Sequence, residues 1–370
     1  MGARERVLRA LRAAARLVDR GDPLHREAME RLPPETGLPA PSVLAALDAC
    51  LERSATKEEL ASLLASVPQA RRVRVVLAGN VFVAPVRALA LAWASAPEVI
   101  VKPSRRGRVV PELLTRALQE DGEEGSVALA DALVAEPDES VHAYGSNAAL
   151  EAIRGALPPG TRFWGHGHGF GIAALDAFSP EVLRGLARDV AYFDQRGCLS
   201  PRLVVWVGSE EDGAALARGL HEELEALARE LPPGLEAPEE TAARRRYLAA
   251  MEAVGDVVSG ATAVVGFQAE PEGVLVPSFP RGVHVVQASG TERAYELLAP
   301  WARWVTCLGG SGAAAEQVAR AIPWARRAEP GRMQRPPLDG PVDRRKWGRG
   351  TEFGREPVEP TDTPANVAHP

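Results

Sequence analysis

A chain of 370 residues, 46% of them hydrophobic and only 5% aromatic, is long enough for two domains with separate cores. Its net charge of −6 excludes a nucleic-acid-sized basic surface, and no apolar run approaches the roughly 18 residues that span a bilayer. Cys50, Cys198 and Cys307 are too few and too widely spaced for a disulfide framework or a Cys-x-x-Cys metal pair, which fits a reducing cytoplasm. The Arg-rich, amphipathic N-terminus does not read as a signal peptide, so membrane contact would be peripheral.

Residues 1–70 read as helices broken by Pro-rich turns, with Ser54-Ala-Thr-Lys-Glu-Glu-Leu60 as a capped helix start. From Val73 the pattern changes to apolar strands alternating with Ala/Leu-rich helices. Strands are predicted at 73–78, 99–101 and 141–144, and helices at 85–95, 111–119 and 147–157. Such alternation means crossover βαβ units and a parallel sheet. A second α/β stretch runs over 171–322, with a strand at 202–207 and charged helices at 210–231 and 239–254. The Pro/Glu/Thr-rich end, 351–370, has too little apolar content for a core and reads as a disordered tail. The predicted organisation is an N-terminal helical and cofactor domain (1–170), a catalytic domain (171–325), a segment packing back on the core (326–350) and the tail.

Four places in this pattern carry chemistry. In Val75-Val-Leu-Ala-Gly-Asn80 a strand ends in Gly-Asn before a helix, where Asn80 can aim its amide at a developing oxyanion or serve as an ordinary turn residue. Only Lys57, Lys102 and Lys346 are lysine among 43 basic residues. A lysine kept at a strand end, in Val101-Lys102-Pro-Ser104-Arg105-Arg106, therefore suggests a task that the arginine fork does badly. Lys102 and Ser104 can bond a ribose, and Arg105 with Arg106 can grip a 2′-phosphate or form a solvated basic turn. His142-Ala-Tyr-Gly145-Ser146-Asn147 closes a strand and opens a helix, a pyrophosphate site or simply a good cap. The chain has neither a G-x-G-x-x-G nor a Walker loop, so a dinucleotide would need a non-standard Rossmann variant.

The fourth is Tyr192-Phe-Asp-Gln-Arg-Gly-Cys198-Leu-Ser-Pro201, a lone thiol in a loop between a helical run and an apolar strand. It is placed as a nucleophile forming an acyl thioester would be, or as a buried structural cysteine. His166 and His168, in Gly165-His-Gly-His-Gly-Phe-Gly171, have no third ligand nearby and are read as non-metal; the alternating glycines let the backbone pass close to a neighbour.

Taken in order, Ala-Gly-Asn80, Val-Lys102-Pro-Ser, Tyr-Gly-Ser146, Gly-His-Gly, Asp-Gln-Arg-Gly-Cys198-Leu-Ser-Pro and Arg332-Met-Gln-Arg-Pro-Pro-Leu-Asp-Gly-Pro resemble the LuxC-type acyl-CoA reductases, a branch of the aldehyde dehydrogenase superfamily, over residues 70–345. The resemblance implies an aldehyde dehydrogenase-like α/β fold, a Rossmann-type cofactor domain plus an α/β catalytic domain. It implies that Cys198 is the nucleophile, and that Asn80 with the Cys198 N–H forms the oxyanion hole. Lys102 and Ser104 would hold the adenosine ribose and Gly145-Ser146 would lie beside the pyrophosphate. The family usually has Pro two residues after the Asn, where this chain has Phe82, and the segment before the first motif is short.

Hydrolytic aldehyde dehydrogenases resemble this chain but use a Glu before the cysteine to activate water, and residues 157–175 contain no Asp or Glu. The expected reaction is therefore reduction of an acyl thioester to an aldehyde, with NADPH favoured over NADH and His166 or His168 a possible proton donor. The donor would be acyl-CoA or an acyl-carrier protein, with an acyltransferase as a possible partner, a homo-oligomer possible and no metal. An NAD(P)-dependent aldehyde dehydrogenase and a non-catalytic acyl-carrier or acyltransferase binding protein are the alternatives.

Overall fold

The computed structural model describes residues 2–122 and 127–345, so the expected tail lies outside the described residues. Two compact units form, one from 2–168 with 337–345 and one from 169–336.

The first unit opens with α1 (Ala3–Arg16), α2 (Pro23–Thr36), α3 (Ala40–Cys50) and α4 (Lys57–Ser66). The cap predicted before α4 is there: Thr56 Oγ1 accepts the Glu59 N–H at 3.1 Å and the Glu59 carboxylate accepts the Thr56 N–H at 2.7 Å. Then follow β1 (Arg72–Val76), α5 (Ala84–Ser95), β2 (Glu98–Lys102), α6 (Val109–Glu120), β3 (Val127–Leu129), β4 (Ser140–Tyr144), α7 (Asn147–Gly155) and β5 (Arg162–His166). These five strands pair in parallel in the order β3-β2-β1-β4-β5. The chain builds outward from β1 to β3 and then returns to the other side of β1. That reversal makes a crevice outside the carboxyl ends of β1 and β4, where sheets of this kind bind ligands. At the opposite ends of the same strands, the fully buried Glu139 carboxylate accepts from Arg72, from Arg74 and from the Glu136 N–H. Residues 337–345 belong here because Arg87, buried on α5, donates to the Pro337 and Gly340 carbonyls at 3.0 and 3.1 Å.

The second unit contains β6 (Phe170–Leu175), α8 (Pro180–Ala191), β7 (Pro201–Val207), α9 (Glu210–Leu227), α10 (Pro238–Val254), β8 (Asp256–Ser259), β9 (Val264–Ala269), β10 (Gly282–Ala288), α11 (Thr291–Leu298), β11 (Val305–Gly309), α12 (Ala313–Ala321) and β12 (Arg326–Ala328). Its sheet runs β12-β11-β6-β7-β10-β9-β8, parallel except for β8. Ile172, Leu203, Val205, Val286 and Leu308 are buried on one face of it and Ala173, Val204 and Val285 on the other, which is why these strands read as continuous apolar runs. The α/β architecture with parallel sheets is the one the alternation predicts. The four strands predicted individually correspond to β1, β2, β4 and β7; β5 and β6, among those not predicted, flank the Gly- and His-rich stretch.

Candidate active site

In the first unit, the turns after β1 and β2 are built against one another. Gly79 is required there, because a Cβ at that position would press on the Arg106 carbonyl and the Ser104 hydroxyl, each 2.8 Å away. The second turn is closed by Ser104 Oγ, which accepts the Arg106 N–H at 3.3 Å, and by the Gly107 N–H on the Ser104 carbonyl. Asn80, Lys102, Ser104, Arg105 and Arg106 are thereby gathered at the carboxyl edge of the sheet, beside the crevice. Asn80 is exposed, Lys102 half-buried, and both arginines exposed. Arginines nearby are committed to carboxylates: Arg108 bonds Glu112 and Asp131, both at 3.0 Å. Among the described residues no carboxylate pairs with Lys102, Arg105 or Arg106.

Gly145 and Ser146 follow β4 on the other side of the crevice. Ser146 Oγ accepts the Ala149 N–H at 3.2 Å and so caps α7, while Gly145 gives its own N–H to the His166 carbonyl at 3.2 Å. An anion at this turn would therefore meet the first turn of α7 rather than the Gly145 N–H. A Cβ at Gly167 would run into the side chain of Asn147, whose Oδ1 accepts the His168 N–H at 3.2 Å. His166 packs on Tyr144, ring centroids 4.3 Å apart, and His142 on Trp164 at 5.7 Å. Both nitrogens of His166 and Nδ1 of His142 are buried without a hydrogen-bond partner, and burial pushes the two imidazoles down to about 4 and about 3.

In the second unit, Cys198 lies between α8 and β7, at the amino end of the strand. The approach is unusual: Phe193, Asp194 and Gln195 all have positive φ (57°, 47° and 61°), a single left-handed turn made by three residues with side chains. Each such residue costs roughly 1–2 kcal/mol, so the surroundings must impose it. The Gln195 amide donates to the Pro201 and Gly282 carbonyls, both at 2.7 Å, and accepts the Gly282 N–H at 3.0 Å. Asp194 accepts the Gly234 N–H at 2.6 Å and pairs at 3.2 Å with Arg281, and both charged side chains are almost fully buried. The Asp-Gln of the motif thus shapes the loop rather than facing substrate.

Beyond the cysteine, the Gly171 N–H donates to the Ser200 carbonyl at 2.8 Å. The Thr306 hydroxyl, on a bulge of β11, donates to the Cys198 and Phe170 carbonyls. Cys198 keeps some surface, whereas Cys50 and Cys307 are buried. Burial drives the Cys307 thiol far above its usual range, and the nearby Asp189 and Cys198 add to this, so Cys307 is no nucleophile.

The sequence reading does not single out three residues that shape this loop and its surroundings: Asp189, Arg281 and Thr306. Asp189 did leave a signal, because it stands on the apolar face of α8 with Leu183, Leu186 and Val190, where a carboxylate needs a reason. Its oxygens accept the Gly331 and Met333 N–H groups at 2.5 and 3.0 Å. Burial pushes this carboxyl up to about 7, against the backbone donors of Gly331, Met333 and Gln334, which lower it.

Residues 46–336 match the family model of acyl-CoA reductase (LuxC). The chain belongs to that family. Membership carries oxidoreductase chemistry of the acyl-CoA reductase and aldehyde dehydrogenase type. None of the curated proteins is detectably similar to this LuxC-family chain. Solved structures share its fold at low identity. A NAD-dependent benzaldehyde dehydrogenase from Corynebacterium glutamicum is 15% identical, with a TM-score of 0.65 over 89% of this chain and 81% of that one. PnpE from Pseudomonas sp. WBC-3 is 18% identical, with a TM-score of 0.63 over 89% and 77%. The complex of PnpE with nicotinamide adenine dinucleotide is 19% identical, with a TM-score of 0.58 over 87% and 76%. The aldehyde dehydrogenase-like fold is thereby established. Among the described residues no helix is long and apolar enough to cross a membrane.

Proposed function

We propose that this LuxC-family chain reduces an acyl thioester, carried by CoA or by a carrier protein, to an aldehyde, with Cys198 as the covalent nucleophile and NADPH as reductant. The observation that carries the reading is the Cys198 loop. Of three cysteines it alone is accessible, and a strained, over-determined turn fixes the backbone that presents it.

The Cys198 thiolate attacks the thioester carbon, so that one S–C bond forms and the bond to the carrier sulfur breaks. The carrier leaves as its thiolate and takes a proton from solvent. Asn80 and the Cys198 N–H are the donors that the family resemblance assigns to the oxyanion. The residues around the first unit's crevice fit a dinucleotide: Gly79 leaves room for two turns to meet, and Lys102, Arg105 and Arg106 present cations that no carboxylate among the described residues pairs with. Lys102 and Ser104 would hold the ribose, Arg105 and Arg106 the 2′-phosphate, and the Gly145-Ser146 turn the pyrophosphate. NADPH, when bound, supplies the hydride that takes the acyl carbon to the aldehyde level. Release of the aldehyde returns Cys198 to the thiolate. His166, packed and neutral in the first unit, suits a structural part better than a proton-donating one.

Purified protein incubated with NADPH and a panel of acyl-CoA and acyl-carrier thioesters should lose absorbance at the reduced-cofactor band and release trapped aldehyde in equal amount. Oxidation of aldehydes to free acid, with no turnover of any thioester, would instead make the chain a hydrolytic dehydrogenase. A second expectation concerns the cofactor. Replacing Arg105 and Arg106 together with Gln should weaken NADPH about ten- to hundredfold while leaving NADH nearly unchanged, since losing a charge-assisted contact costs about 1.5–3 kcal/mol. Titration of both cofactors by fluorescence reads the ratio, and equal losses would remove these arginines from phosphate recognition.

A further inference from the structure

The second unit contains a set of buried polar contacts that the proposed chemistry does not use. The segment Pro330-Gly-Arg-Met-Gln334 turns back onto α8 so closely that a Cβ on Gly185 would meet the Pro330 carbonyl, and Gly331 takes a φ of +88° that suits glycine. Asp189 holds this turn through the Gly331 and Met333 N–H groups. Met333, fully buried, fills the space left by the missing side chains of Gly171 and Gly309. The Gln334 amide then donates twice, to the Asp189 carbonyl at 2.8 Å and to Ser200 Oγ at 3.1 Å. Ser200 is fully buried and stands two residues after Cys198. The path from α8 through Asp189, the turn and Gln334 therefore ends on the nucleophile's own loop.

We propose that Asp189 and Gln334 form a clasp that positions Cys198, with Gln334 and Ser200 as positioning residues that touch no substrate. The proposal rests on the reading of Cys198 as the nucleophile. It also explains why a motif more than 130 residues from the cysteine accompanies it: the amide of Gln334 spans the gap that the loop cannot close by itself. On the other side of the same loop the Thr306 hydroxyl holds the Cys198 carbonyl. The two contacts hold the loop on both sides of Leu199, and with it the backbone that carries the thiol.

The test uses the full chain and four forms: wild type, Gln334→Met, Ser200→Ala and the double variant. These changes remove the bond without inserting a charge, where Asp189→Asn would set an amide against two backbone donors. Single-turnover transfer of a labelled acyl group from acyl-CoA to Cys198 should slow about tenfold in each single variant. It should be no slower in the double than in Gln334→Met, which already deletes the bond to Ser200 along with the one to the Asp189 carbonyl. Affinity for NADPH should stay at the wild-type value in all four, and unfolding midpoints, measured alongside, must lie well above the assay temperature. Wild-type transfer rates in the singles, or effects that multiply to about a hundredfold in the double, would overturn the clasp. Should the wild type accept no acyl group at all, the reading of Cys198 fails separately. Iodoacetamide alkylation of Cys198, followed by mass of the intact protein, then decides the clasp: a shared change of about threefold or more in both singles and the double supports it, and four equal rates overturn it.

Discussion

Cys198→Ala should abolish both covalent acyl labelling and NADPH oxidation, a loss of at least about 10⁴-fold in turnover, without a measurable change in unfolding midpoint. The magnitude follows from removing the atom to which the acyl group bonds, for which the protein has no substitute. Cys307 is fully buried with its thiol held far above the usual range, and Cys50 is 3% exposed. Cys50→Ala and Cys307→Ala should accordingly keep activity, at a cost of about 1 kcal/mol in stability for the small void each leaves. Intact-protein mass spectra after incubation with acyl-CoA, without reductant, give the labelling directly. Full reductase activity in Cys198→Ala would end the covalent mechanism, whatever the alkylation data said.

The same loop shows where sequence reading succeeds and where it stops. The strand from Pro201 and the helix ending at Ala191 are visible as apolar periodicities, so a loop with a lone thiol between them is legible. Its shape is not. Phe193, Asp194 and Gln195 have no preference for the left-handed region, and the turn exists only because partners about 40 and 87 residues further along, Gly234, Arg281 and Gly282, hold its side chains. Long-range contacts of this kind leave no local signature, which is why Arg281 and Thr306 could not be found. The strands β5 and β6 were hidden for another reason. Glycines in and between them are demanded by close neighbours, Asn147 at Gly167 in the connection and the Leu199 carbonyl at Gly171 in β6, and glycine erases the alternation that marks a strand. In the crevice of the first unit the residue types were legible, but the use of the Gly145 N–H within the sheet was not.

The buried histidines lead to the second large effect, a difference in the acid stability of the two units. His142 and His284 sit at about 3 and His166 at about 4, all lowered by burial below the value near 6.5 expected in an unfolded chain. Below pH 6.5 the unfolded chain therefore binds protons that the folded chain refuses. Stability is full above that pH and falls as the pH drops toward 4. At pH 5 each histidine removes about 2 kcal/mol, so the first unit, with His142 and His166, loses about 4 kcal/mol. The second unit loses about 2 through His284, which is locked between Tyr247 at 2.7 Å and Gln268 at 2.9 Å. Asp189 acts in the opposite direction. Its carboxyl is raised to about 7, so its folded form prefers the proton, and its contribution is greatest in acid and lost as the pH rises through 7. Between pH 7 and 5 it returns about 2 kcal/mol to the second unit, which cancels His284. A loss of about 4 kcal/mol is a large part of the 5–15 typical of a domain, and it falls on one unit alone. Hydrogen exchange at the two pH values should show protection falling in peptides from β4 and β5 while peptides from β7 and β10 hold theirs. His142→Phe should restore about half of the loss. Equal loss of protection in both units would mean that the Asp189 carboxyl is not raised, or that the histidines of the first unit are not buried neutral.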